Sequence, residues 1–157
     1  MISVDDYLWY VDVALDGMIA IVTDLGDELA NRRPDVPDTN SPYVLLHHCL
    51  GVMEYWGGHV VAGRTIERDR DAEFRASGPV GELVDRARRA RRQLADDLTD
   101  LDPTAPPRGT TDPADAGLPI VRTQGGALVH LYEELAQHHG QMECCRDVLL
   151  APWAKLA

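Results

Sequence analysis

Residues 123–150 read TQGGALVHLYEELAQHHGQMECCRDVLL. Leu128, Leu131, Leu135, Met142, Cys145 and Leu149 recur there at steps of three, four or seven, which draws one apolar stripe along an α-helix. Thr123 stands at the start and Pro152 just past the end, so the spacing predicts a helix from about Thr123 to Leu150. The polar residues of the same helix are dense in chemistry. At about 100° per residue, Glu134 and His138 lie one above the other beside the stripe, while His139 pairs with Glu143 on the opposite flank.

Upstream, residues 102–119 (DPTAPPRGTTDPADAGLP) are rich in Pro, Gly, Asp and Thr and predict a long connection. A third helix begins near residues 77–79 (SGP), with Val80, Leu83, Ala87, Ala90, Leu94, Leu98 and Leu101 facing inward and a charged outer surface laced by i,i+4 pairs. Residues 64–76 (RTIERDRDAEFRA) read either as loop or as frayed helix. The second helix opens on Ser41 and Pro42, a cap followed by a proline at the first helical position. It continues through YVLLHHCLGVMEYWGGHVV, with glycines blurring its end. There His48 falls at the edge of the apolar stripe, in line with Val44, Val52 and Tyr55, and His59 lies farther along that side. His47 points away and is expected in solvent. The first helix starts at Ser3 with Asp6 as its capping-box partner. Leu8, Val11, Leu15, Met18, Val22, Leu25 and Leu29 form its stripe, and the turn-rich NRRPDVPDTNSP follows.

No segment alternates with period two and none repeats, so four long amphipathic helices predict an all-α four-helix bundle with a long loop before the last helix. At 157 residues the chain is read as one domain, 1–157. Its formal charge of −11 disfavours nucleic acid and anionic membrane surfaces as partners. The opening MISVDDYLWY does not have the pattern of a signal peptide, and no apolar run is long enough for a membrane span. Three cysteines, two of them adjacent, make neither a disulfide framework nor a C-x-x-C metal motif. A reducing, cytoplasmic setting is the expectation.

Glu134 and His138 from one helix and His48 from its neighbour would supply two imidazoles and a carboxylate. That set suits zinc, nickel or iron(II) while leaving coordination positions open. The E-x-x-x-H spacing serves a solvated helix face equally well, as a favourable i,i+4 contact. A Cys–His nucleophile is disfavoured, because His138 and Cys145 are two turns apart and His48 and Cys49 point in different directions. Cys145 reads as core and Cys144 as a bystander. Trp9, Tyr55 and Trp56 read as bundle core or as the lining of an apolar pocket. Arg122 and Arg146 read as partners of surface acids or of a substrate carboxylate.

LLHHCLGVMEYW in the second helix and LVHLYEELAQHHGQMECCRDVL in the fourth resemble the two signature regions of the DinB-like superfamily. The nearer resemblance is to its branch containing mycothiol-dependent maleylpyruvate isomerase and mycothiol-transferase-like proteins. It extends over essentially the whole chain. It implies a three-ligand metal site at His48, Glu134 and His138, with zinc the usual ion and nickel an alternative. It also implies a low-molecular-weight thiol such as mycothiol as cofactor, a small electrophile as substrate, and a homodimer. Gln141 departs from the pattern, since relatives of this branch often carry a histidine there. The isomerase has a further C-terminal domain for which 157 residues leave no room, so S-transfer rather than isomerisation is expected. A metal-dependent hydrolase on the same scaffold, and a non-catalytic metal- or ligand-binding bundle, stand as alternatives.

Overall fold

Ser3 caps the first helix, α1 (Val4–Asn31), reciprocally with Asp6: the Ser3 hydroxyl accepts from the Asp6 amide at 3.0 Å, and the Asp6 carboxylate accepts from the Ser3 amide at 3.3 Å. Two amides that a helix start leaves without partners are thereby satisfied. The computed structural model describes residues 2–151. At Gly26 the backbone leaves helical geometry for one residue (φ 66°, ψ 178°), a conformation open essentially to glycine alone. The interruption turns the stripe. Leu25 is buried, but Leu29, expected to continue the buried row, is only partly covered, and Ala30 takes the inward position.

α2 (Pro42–Val52) begins as expected, with the Ser41 hydroxyl accepting from the Val44 amide. The second helix is not α-helical to its end. Met53–Val61 is wound as a π-helix, and Gly63, two residues beyond it, has a φ of +77°. The wider winding shifts the register of everything after Val52, so a wheel drawn at 100° per residue loses its meaning there. α2 is also buried nearly all round, because α1, the short α3 (Arg70–Glu73), α4 (Val80–Asp97) and α5 (Gln124–Leu150) all pack on it. Residues 64–76, open between loop and frayed helix in the sequence, are an extended strap followed by that single turn, which Asp69 caps.

α4 (Val80–Asp97) buries Val80, Leu83, Ala87, Ala90 and Leu94, with Leu98 just beyond it, as its stripe predicts. Its first residue is capped from afar: Asp27 accepts from the Val80 amide at 2.7 Å, while the Asn31 side chain bonds both backbone groups of Gly78. The charged face is laced differently from the expectation. Arg86 reaches Glu54 and Arg91 reaches Asp12, on neighbouring elements, and within the helix Arg88 meets Asp85 at i,i+3.

α5 (Gln124–Leu150) is capped by Thr123 and buries all six residues of the predicted stripe. Pro152, expected to stop it, lies outside the described residues. The Tyr7 hydroxyl donates to the Leu128 carbonyl at 2.8 Å and ties α5 to α1. The connection before α5 holds two single 3-10 turns, Pro113–Asp115 and Pro119–Val121. Buried Gln124 pins its first half, donating to the Pro106 carbonyl at 3.1 Å. α1, α2 with its π-helical extension, α4 and α5 thus form an all-helical bundle with no strand among the described residues. No helix there is long and apolar enough to cross a membrane.

Candidate metal centre

α2 and α5 pack side by side, and their contact brings His48 against Glu134 and His138. Glu134 Oε2 is 3.4 Å from His48 Nε2 and 3.4 Å from His138 Nε2. One ligand atom from each of the three residues lies within 4.8 Å of the others. Ligands on a tetrahedral zinc at about 2.1 Å stand about 3.4 Å apart, so the spacing fits such an ion. His48 is 2 % exposed, whereas Glu134 and His138 are partly open.

Both rings are held from behind. His48 Nδ1 donates to Glu73 Oε2 at 2.8 Å, and His138 Nδ1 donates to Gln141 Oε1 at 3.0 Å. With Nδ1 spent on an acceptor in each case, neutral imidazoles present the Nε2 lone pair. Two lone pairs and a carboxylate oxygen then face one another. Only positive charge makes such a group stable, either protons on the rings or one cation shared by all three. Outer partners of this kind fix ligand orientation at metal sites. Gln141 has a defined task here as the acceptor for His138.

The electrostatics agree. With protons on both Nε2 atoms, hydrogen bonds from His138 first and His48 second hold the Glu134 carboxyl far below the ordinary carboxylate range, against its partial burial. Burial works to raise Glu73, yet its bonds to His48 and Arg68 prevail and bring it down to about 2. For His48, burial disfavours the charged ring, but Glu134 and then Glu73 outweigh it and move the pKa up. Arg68 completes the support with two bonds to Glu73, at 2.7 and 3.0 Å.

Beside the triad lies a cleft of about 530 Å³, lined by His48, Glu134, Tyr55, Trp56, Arg68 and His130 together with Asp112 and Asp115 of the long connection. Tyr55 and Trp56, open between core and pocket lining in the sequence, stand on its wall, and Trp56 is also buried in the core. Trp9 does neither: it is 59 % exposed on α1. His130, four residues before Glu134, stands 3.8 Å from Glu134 Oε1, the carboxylate oxygen turned away from the two ligand rings.

Several sequence expectations are corrected. His47 is half-buried, not solvated: α3 and α4 cover that side of α2, its Nδ1 has no partner among the described residues, and burial lowers its pKa. It remains outside the triad. His139 makes no ion pair with Glu143 among the described residues and packs against Gly17 of α1, where a β-carbon would strike its ring. Arg122 donates to the Gly117 carbonyl and not to an acid, whereas Arg146 does pair with a surface acid, the adjacent Asp147, as expected. Cys49 and Cys145 are buried, which pushes both thiols up, the wrong direction for a nucleophile, and Cys144 is exposed.

Glu73 and Arg68 were invisible beforehand, because they sit in a charged run without periodicity. His130 and Gln141 carried a signal, standing at i−4 from Glu134 and i+3 from His138 on a predicted helix. Among solved structures the chain is similar to a conserved protein from Enterococcus faecalis, at 14 % identity over 96 % of this chain and 98 % of that one, with a TM-score of 0.70. That likeness shows the fold. No curated protein matches the sequence. Residues 11–142, most of the bundle and all three triad residues, match the DinB superfamily, and the chain belongs to that family.

Proposed function

We propose that His48, Glu134 and His138 hold one divalent metal, zinc by preference, and that the cleft beside them serves S-transfer from a low-molecular-weight thiol to a small electrophile. The observation that carries the metal part is the convergence of two Nε2 lone pairs and a carboxylate oxygen, each ring already committed behind. Three protein ligands would leave a metal held there a free coordination position, as in reactive rather than structural zinc. The metal would supply acidity, lowering a thiol's pKa so that thiolate is available near neutral pH.

The chain's own residues would do the rest. Glu73 and Arg68 hold the His48 ring, Gln141 holds His138, and Tyr55 and Trp56 give the electrophile an apolar wall. The thiol part of the reading is supported by the resemblance of the second and fourth helices to mycothiol-using relatives and by a cleft of small-molecule size. The buried, raised Cys49 and Cys145 favour an external thiol over a protein one. A homodimer belongs to the same reading, favoured by the exposed Trp9, Tyr10 and Val13 on α1.

The test uses cobalt(II)-loaded protein. Adding a millimolar small thiol should produce charge-transfer absorption in the near ultraviolet and release a proton, and binding should tighten as pH rises. Glu134→Gln should weaken the response, while the exposed Glu133→Gln should leave it unchanged. An unchanged spectrum together with ester or amide hydrolysis would overturn the thiol part and select a hydrolase.

A further inference from the structure

The charges that line the cleft are only partly answered. Glu73 takes one edge of the Arg68 guanidinium, through Nε at 2.7 Å and Nη2 at 3.0 Å. The remaining nitrogen, Nη1, makes no hydrogen bond among the described residues, although the side chain is only 16 % exposed. The guanidinium lies 5.5 Å from the centre of the Tyr55 ring, on the cleft wall. Arg70 lines the same cleft, 6.0 Å from the centre of the Phe74 ring, and forms no ion pair among the described residues. Asp69 between the two arginines is extended, a geometry that sends its neighbours to one side.

The long connection brings the opposite sign. Asp112 and Asp115 line the cleft as well, and neither pairs with Arg68 or Arg70 among the described residues. One oxygen of Asp112 accepts from the Ala114 amide at 2.8 Å, and the Asp115 carboxylate has no partner among those residues. Both acids are held in place by their backbone. The main chain of Asp112 meets the Tyr55 hydroxyl, and Pro119–Val121 packs on α5. The other charges around the cleft are met nearby: His130 faces Glu133 and Glu134 of its own helix, and Glu134 belongs to the triad.

Water satisfies these four groups while it fills the cleft. A ligand that displaces the water has to replace it, because a charge left unpaired in a dried site is costly. An uncharged ligand strands both signs, and a simple anion or cation strands one. We propose that the cleft binds a zwitterion and, resting on the metal and thiol reading above, that the thiol it takes is a small molecule of amino-acid type. Its carboxylate lies on Arg70 and the free nitrogen of Arg68, where guanidinium N–H groups match carboxylate oxygens. Its ammonium, with three donors and no acceptor, lies against Asp112 and Asp115. The carboxylate end thus faces the strap that supports His48, and the ammonium end faces the long connection. A volume of about 530 Å³ admits a molecule of this class.

The test is a charge cycle on cobalt(II)-loaded protein with four related thiols: L-cysteine, cysteamine, N-acetyl-L-cysteine and N-acetylcysteamine. Each is titrated by its charge-transfer band against wild type, Arg70→Gln and Asp115→Asn. Following one thiol across the variants cancels its own acidity and any chelation by its amine. Arg70→Gln should weaken the two carboxylate-bearing thiols about tenfold, the effect of one hydrogen bond between charged groups, and leave both cysteamines unchanged. Asp115→Asn should weaken cysteine and cysteamine to a similar degree and leave the N-acetyl pair unchanged. Variants that shift all four thiols equally, or none of them, overturn the proposal. A cobalt spectrum that no thiol changes defeats the thiol reading instead, and saturation-transfer NMR with S-methyl-L-cysteine, which has no thiol, then decides for the cleft. Binding weakened by each substitution supports a zwitterion site, whereas no binding, or binding indifferent to both, contradicts it.

Discussion

Glu73 is the residue whose charge matters most outside the triad. It is 5 % exposed and ionised against its burial, because His48 and Arg68 bond it. Its pKa of about 2 lies below the ordinary 4.5, so folding is favoured by its ionised form. The contribution is complete above 4.5 and is lost as pH falls toward 2, amounting to on the order of 3 kcal/mol. Urea titrations across that window should show wild-type stability falling with acid and Glu73→Gln falling much less. The same substitution keeps an acceptor behind His48 but removes its negative charge, and should weaken zinc affinity up to about 10-fold, whereas Gln141→Leu removes the acceptor behind His138 and should weaken it about 10- to 100-fold. Competition titration with a chelator would measure both. The triad itself was legible in the sequence, since His48, Glu134 and His138 needed only helical spacing and the packing of one helix on its neighbour. Glu73 was not, because a carboxylate buried by an ion pair looks no different in sequence from the exposed acids around it.

At the scale of elements, α5 shows how far periodicity reaches. Leu131 is fully buried two residues from Val129, which is 68 % exposed. Leu131→Ala should cost about 2–5 kcal/mol and Val129→Ala less than about 0.5 kcal/mol, both by urea denaturation. The second helix shows where periodicity fails. Ser41 and Pro42 announced its start correctly, but its π-helical half follows no spacing rule, and α3 and α4 bury the side that carries His47. Gly57 explains part of that geometry, since its missing side chain lets the π-helix close on Leu94 of α4. Gly57→Ala should therefore destabilise the protein by about 1–3 kcal/mol, with the loss visible in the same titrations. In α1 the stripe from Leu25 to Leu29 crosses Gly26, whose positive φ breaks the helical register and drops Leu29 out of the row.

For the molecule as a whole, the triad joins residues 86 positions apart in sequence, from His48 to Glu134. A metal that binds only when α2 and α5 are packed must stabilise the fold. With zinc at a hundredfold excess over its dissociation constant the gain is about 2.7 kcal/mol, or about 5–10 °C in melting temperature for a domain of this size. Binding should strengthen as pH rises through the imidazole range, because the raised pKa of His48 means a proton must leave before the metal enters. The most direct measurement is elemental analysis of zinc after saturation and dialysis. About one zinc per chain is expected for the wild type and for His47→Ala, and close to none for His48→Ala and His138→Ala. A wild type that retains no metal, or losses equal at His47 and His48, would contradict the site.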